Sequence, residues 1–133
     1  MPPSPSPASP PSVTLTKIVM PGQTNALGTL FGGVALSLMD EAAAIVAIRH
    51  ARSQVVTAHM QSVDFRAPVR LGEAVLVTAT LRSVGRSSMR LAVEMYGENL
   101  TTGERRLCTQ AEIVMVALGP DGKPRPVDPL PRG

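Results

Sequence analysis

Residues 21–49 read PGQTNALGTLFGGVALSLMDEAAAIVAIR, and this stretch decides the fold. A polar loop holding Asn25 runs into the pair Gly32-Gly33, and an almost wholly apolar segment follows. Two adjacent carboxylates, Asp40 and Glu41, interrupt it in the middle. A helix apolar on nearly every side belongs in a protein core or a membrane. A carboxylate buried there without a partner costs several kcal/mol, so it needs an ion pair, a water-filled site or a chemical task. Asp40 follows Gly33 by close to two helical turns, so both face the same way. One flank of the helix then offers bare backbone N–H groups at its start and a carboxylate further on, a layout suited to hydrolysis.

Outward from this helix the periodicity is that of strands. Residues 13–20 form a short strand, and the helix runs over 33–52, ending in Arg49, His50 and Arg52 at the negative end of its dipole. Residues 55–65 are β-rich, closed by Pro68 and Gly72. Residues 74–84 alternate, with Val75, Val77, Ala79 and Leu81 on one face; residues 88–96 alternate again, with Met89, Leu91, Val93 and Met95 inward. Gly85-Arg86 and residues 99–103 mark turns, and residues 107–118 are a last long strand. The predicted order is β-α-β-β-β-β, an α+β protein. Three consecutive long strands with short turns make an antiparallel meander, and one helix must cover its face. A helix so apolar is satisfied by a sheet that curls around it and by a second subunit on its other flank. Both conditions describe a hotdog fold: a curved antiparallel sheet wrapped around one long helix, dimerised with two helices back to back.

Composition narrows the function. The chain has 133 residues and reads as one domain over 13–127, between a Pro/Ser-rich tail at 1–12 expected to be disordered and a loose tail at 128–133. Aromatic content is 2%, which argues against nucleic-acid binding by base stacking. A net charge of +3 suits a phosphate-bearing small molecule as well as ordinary solubility. A single cysteine, Cys108, makes neither an internal disulfide nor a cysteine-rich metal site. No signal peptide is recognisable, and Asp40 and Glu41 break the only long apolar run, so the expectation is a cytoplasmic protein without membrane insertion.

At these residues the chain resembles the hotdog-fold acyl-CoA thioesterases of the YciA and brain acyl-CoA hydrolase type. The resemblance rests on Thr24-Asn25 with Gly28, Phe31-Gly32-Gly33, Met39-Asp40, Arg49-His50 and Val56-Thr57-Ala58. It continues through Phe65 with Pro68, Gly72, Gly85-Arg86-Ser87-Ser88-Met89 and Val116-Ala117-Leu118, and spans residues 15–127. Where some relatives carry a histidine before the glycine pair, this chain has Phe31. The resemblance implies hydrolysis of acyl-coenzyme A to a free acid and CoA, with no cofactor. It also implies a site at a dimer interface, a hexamer built from three dimers, an aspartate that falls on Asp40 and a loop asparagine that falls on Asn25.

The residues themselves leave alternatives open. A thioester is already activated, so water with a positioned base and a polarised carbonyl suffices. A general base is worth about 10²–10⁴ in rate and an oxyanion donor about 10²–10³. The N–H groups of Gly32, Gly33 or Val34 are candidate oxyanion donors; a tight helix start is the other reading of the glycines. Asp40 is either the catalytic carboxylate or half of an ion pair, and Glu41, about 100° around the helix, is expected to pair with a basic residue. Asn25 either orients water or stabilises its own turn. Arg86, Ser87 and Ser88 either grip the pantetheine or phosphates of CoA or simply make a hairpin turn. Thr57 is a substrate contact or an ordinary strand threonine. His50 suits the helix dipole, His59 has no acid in a motif, and Cys108 and the methionines read as core. Two rival functions share these features: an acyl-thioester hydratase or dehydratase, which places a histidine near the helix start, and a non-catalytic acyl-CoA binding module.

Overall fold

The computed structural model describes residues 9–130. The elements run β1 (Ser12–Ile18), a 3-10 turn (Pro21–Gln23), α1 (Gly32–Ala51), β2 (Gln54–Phe65), β3 (Ala74–Val84), β4 (Ser88–Glu98) and β5 (Arg105–Leu118). The five strands form one antiparallel sheet in the order β1-β3-β4-β5-β2. The β-α-β-β-β-β reading of the sequence is this architecture. Boundaries differ by one or two residues: β1 closes at Ile18, and β4 and β5 each extend toward their shared turn. The helix ends at Ala51 because Arg52 turns left-handed, φ 54°, while its N–H still donates to Ile48 O.

Packing follows the periodicities. On α1, Ala35, Met39, Ala42, Ala43, Val46 and Ala47 are buried, a stripe at helical spacing. It lies against the alternating residues of β3 and β4 expected to face inward, joined by Ala111, Ile113, Met115 and Ala117 of β5. The alanines let the helix lie close to the sheet, and Met39, Met89, Met95 and Met115 fill the space between. The other flank of α1 is not covered in the single chain: Ile48 is an exposed large apolar residue there, and Phe31 just before the helix and Val56, Val63 and Phe65 on β2 are exposed as well. Strand β2 pairs with β5 along one edge and with no other strand among the described residues.

The expected tails behave differently from loose chain where they are described. Residues 1–8 and 131–133 lie outside the described residues. Pro11 O accepts from Leu81 N, and Ser12 already pairs with Thr80. At the other end Leu130 packs on the core, and the Asp128 carbonyl accepts from His50 Nε2 at 2.8 Å.

Candidate active site

Helix α1 carries both chemical features of the site. Its N-cap is Phe31, which supplies no side-chain cap, and the first intrahelical bond is Ala35 N to Phe31 O. The N–H groups of Gly32, Gly33 and Val34 donate to nothing among the described residues. A Cβ on Gly33 would meet no atom within 4 Å, and one on Gly32 would only touch the Phe65 ring at 3.6 Å. Packing within the protomer therefore does not require glycine at 33. The open approach to its backbone is what glycine provides.

Asp40 lies on the flank of α1 that meets β2. Thr57 Oγ1 donates to Asp40 Oδ1 at 2.6 Å and sits 3.5 Å from Met115 Sδ. Asp40 is half-buried and makes no ion pair; Oδ2 has no hydrogen-bond partner among the described residues. Among the described residues of the protomer no ion pair forms at Asp40, and a short hydrogen bond from Thr57 stands in its place. Glu41, expected to pair with a basic residue, is exposed and also makes no ion pair among the described residues.

Asn25 is engaged in its own loop. Its Oδ1 accepts from Leu27 N at 3.0 Å and from Thr29 N and Oγ1 at 3.1 Å. Gly28, at φ +76°, completes the turn, and Gly28 N donates to Asn25 O. Within one protomer the carboxamide therefore shapes the turn and does not reach Asp40. The Arg86-Ser87-Ser88 turn joins β3 to β4 and closes by Gly85 N donating to Ser88 O. Ser88 is in register with Val116, which pairs with Val56 beside Thr57, so this turn lies two strands across from the Asp40–Thr57 contact. At about 4.8 Å per strand it is roughly 10 Å away.

The remaining candidates fall away on geometry. His50 is tied to Asp128 O and His59 is exposed on β2, so no histidine stands at the start of α1. Cys108 is buried, and burial pushes its thiol above the ordinary range, the reverse of an activated nucleophile. No group of three or more His, Cys, Asp or Glu residues is placed to hold a metal among the described residues, and no helix there is long and apolar enough to cross a membrane. Thr57, read from the sequence as a substrate contact or an ordinary strand threonine, meets the Asp40 carboxylate in the fold. Nothing in a strand threonine announces a carboxylate seventeen residues earlier.

A cleft of about 280 Å³ opens beside Gly32, between Phe65 and Val69, with Met95 and Thr109 at its floor. It gives the bare helix start a partly apolar hollow.

Comparison with known proteins agrees with this architecture. The profile of the thioesterase superfamily matches residues 27–104. The chain is 44% identical over 115 residues to the uncharacterized acyl-CoA thioester hydrolase YkhA of Bacillus subtilis, covering 86% of this chain and 67% of the relative. It is 36% identical over 118 residues to the YciA acyl-CoA thioester hydrolase of Salmonella typhimurium, covering 86% and 89%. Among solved structures, a hexameric acyl-CoA thioesterase superposes with a TM-score of 0.86 at 43% identity, covering 89% of this chain and 76% of that one. An acyl-CoA hydrolase from Staphylococcus aureus, solved with butyryl-coenzyme A, coenzyme A and coenzyme A disulfide, superposes at 0.85 and 35% identity, covering 89% and 72%. Alanine variants of one aspartate, one threonine and one asparagine of that enzyme have also been solved. The chain belongs to the hotdog-fold thioesterase superfamily, among its YciA-type acyl-CoA thioester hydrolases.

Proposed function

We propose that this protein hydrolyses acyl-coenzyme A to a carboxylic acid and free CoA, with Asp40 as the catalytic carboxylate. The observation that carries the reading is a coincidence of spacing. Asn25, Asp40 and Thr57 are separated by 15 and 17 residues, the same intervals as the asparagine, aspartate and threonine replaced in the Staphylococcus aureus hydrolase. In this chain the last two are in contact at 2.6 Å. Thr57 holds one carboxylate oxygen and leaves Oδ2 to take a proton from water. The water oxygen bonds to the thioester carbon, N–H groups at a helix start hold the oxyanion, and the C–S bond then breaks. The proton returns to the CoA sulfur.

One protomer does not suffice for this chemistry. Gly33 and Asp40 lie about 10 Å apart along the helix axis, whereas each must come within roughly 3 Å of its reacting atom. Two α1 helices running antiparallel across a two-fold axis would bring Asp40 beside Gly33 of the partner subunit. The exposed flank of α1 and the free edge of β2 support such a dimer. The hexameric state of the solved relative supports further assembly of three dimers. The lone buried thiol fits a reducing cytoplasm. Release of free thiol from acyl-CoA substrates of graded chain length tests the activity. Absence of turnover with every chain length, in a folded oligomer, rejects it.

A further inference from the structure

Residues 124–128, the last of which opens the segment expected to be a loose tail, are bonded at four points, to the end of β5, to the Arg86 turn and to the end of α1. Leu118 bridges Pro124, Arg125 N donates to Ala117 O, Val127 N donates to Arg86 O at 2.9 Å, and His50 donates to Asp128 O. Ala117 N in turn donates to Ser87 O at 2.9 Å. The carbonyls of Arg86, Ser87 and Ser88 are therefore all tied back into the protein. No cis peptide occurs among the described residues, and in a trans peptide the C=O and N–H point oppositely. Holding Arg86 O against Val127 thus aims the N–H of Ser87 away from that segment, and the neighbouring Arg86 side chain is exposed and makes no ion pair among the described residues.

We infer that residues 124–128 are a positioning strap, which presents the Ser87 N–H and the Arg86 side chain to the phosphate and amide groups of the CoA moiety, with His50 as its anchor. The inference rests on the proposed hydrolase reading and names what holds its CoA grip. Val127 and His50 touch no substrate and act through the turn. Without the Val127 N–H the Arg86–Ser87 peptide is free to rotate, and binding energy distant from the thioester is lost equally from ground and transition states.

The test compares butyryl-CoA with the butyryl thioester of N-acetylcysteamine, which lacks the nucleotide and most of the pantetheine. Val127→Pro deletes the donor, and Val127→Ala keeps it while trimming the same side chain. For Val127→Pro, KM for butyryl-CoA should rise about tenfold, the scale of one lost hydrogen bond, with kcat little changed. Its kcat/KM for the short thioester should stay put, and Val127→Ala should keep the wild-type KM. His50→Ala should shift KM the same way and His50→Gln, which retains a donor, should restore it; this pair serves if the proline variant does not fold. Unchanged KM in Val127→Pro and His50→Ala, with only a lowered melting temperature, overturns the strap. Wild-type protein that turns over neither thioester overturns the hydrolase reading instead, so the two failures are distinguishable.

Discussion

Thr57 Oγ1 donates to Asp40 Oδ1 at 2.6 Å, and this bond ties the middle of α1 to β2 at the point where that strand bulges. The register between β2 and β5 shifts between Thr57 and His59, so Ala58 is the extra residue. A bulge re-aims the side chains beside it. Here the neighbouring hydroxyl meets the helix carboxylate, and the helix residue that would otherwise be a half-buried lone charge acquires an orientation.

Asp40→Asn keeps the size and the acceptor for Thr57 but removes the base. Thioesterase activity should fall by about 10²–10⁴, with the melting temperature held or slightly raised. Glu41→Gln, one residue on and about 100° around the helix, should cost little. Steady-state assays and melting curves on both variants check this; equal losses in the two would move the chemistry off Asp40.

At Thr57 the hydroxyl is the relevant group. Thr57→Ser should retain most activity, and Thr57→Val, close in shape but without a donor, should lose about tenfold or more in kcat. A valine variant as active as wild type would reduce the contact to packing.

Gly33→Ala offers a test with opposed signs. The added methyl meets no atom within 4 Å in the protomer, and alanine is the better helix former. Stability of the isolated fold should therefore rise by about 0.5–1 kcal/mol. Activity should nevertheless drop, because the methyl occupies the approach of the substrate carbonyl to the helix N–H groups. Full activity in this variant would show that nothing needs to come close to Gly33.

Oligomeric state follows from the uncovered flank of α1 and the open edge of β2. Light scattering at micromolar concentration should find a homodimer or a multiple of it. An active monomer would be incompatible with a site that needs two helices.

Glu73 sets an acid limit on stability. Its carboxylate accepts two hydrogen bonds from Arg106, at 2.6 and 3.0 Å, and one from Arg70 N at 2.7 Å. The Arg106 bonds chiefly, opposed by burial, hold its carboxyl below the usual range. A group more acidic folded than unfolded contributes stability in full above the ordinary carboxylate range and loses it as pH falls through the lower folded value. Glu73→Gln should cost on the order of 1 kcal/mol near neutral pH after solvent screening, and the difference from wild type should close in acid. Melting temperatures from pH 7 down to pH 3 read this out. A constant gap across that range would assign the effect to packing.

Much of this molecule was legible in residue order alone. Alternation of Val75, Val77, Ala79 and Leu81, and of Met89, Leu91, Val93 and Met95, specifies strand faces because side chains in a strand point to opposite sides by turns. The double glycine and the acid in an apolar helix singled out a candidate site because a half-buried carboxylate is costly without a purpose. Three things depended on the fold. Thr57 meets Asp40 only because β2 crosses to the far edge of the sheet and bulges there. Asn25 turns out to close its own loop, since its backbone neighbours compete successfully for the same carboxamide. The bonds that hold residues 124–128 left no mark in the sequence because they run through backbone N–H and C=O groups, which every residue carries alike. Local periodicity is written in side chains and can be read in one dimension; register, bulges and backbone straps arise from which segments lie side by side, and only the tertiary structure decides that.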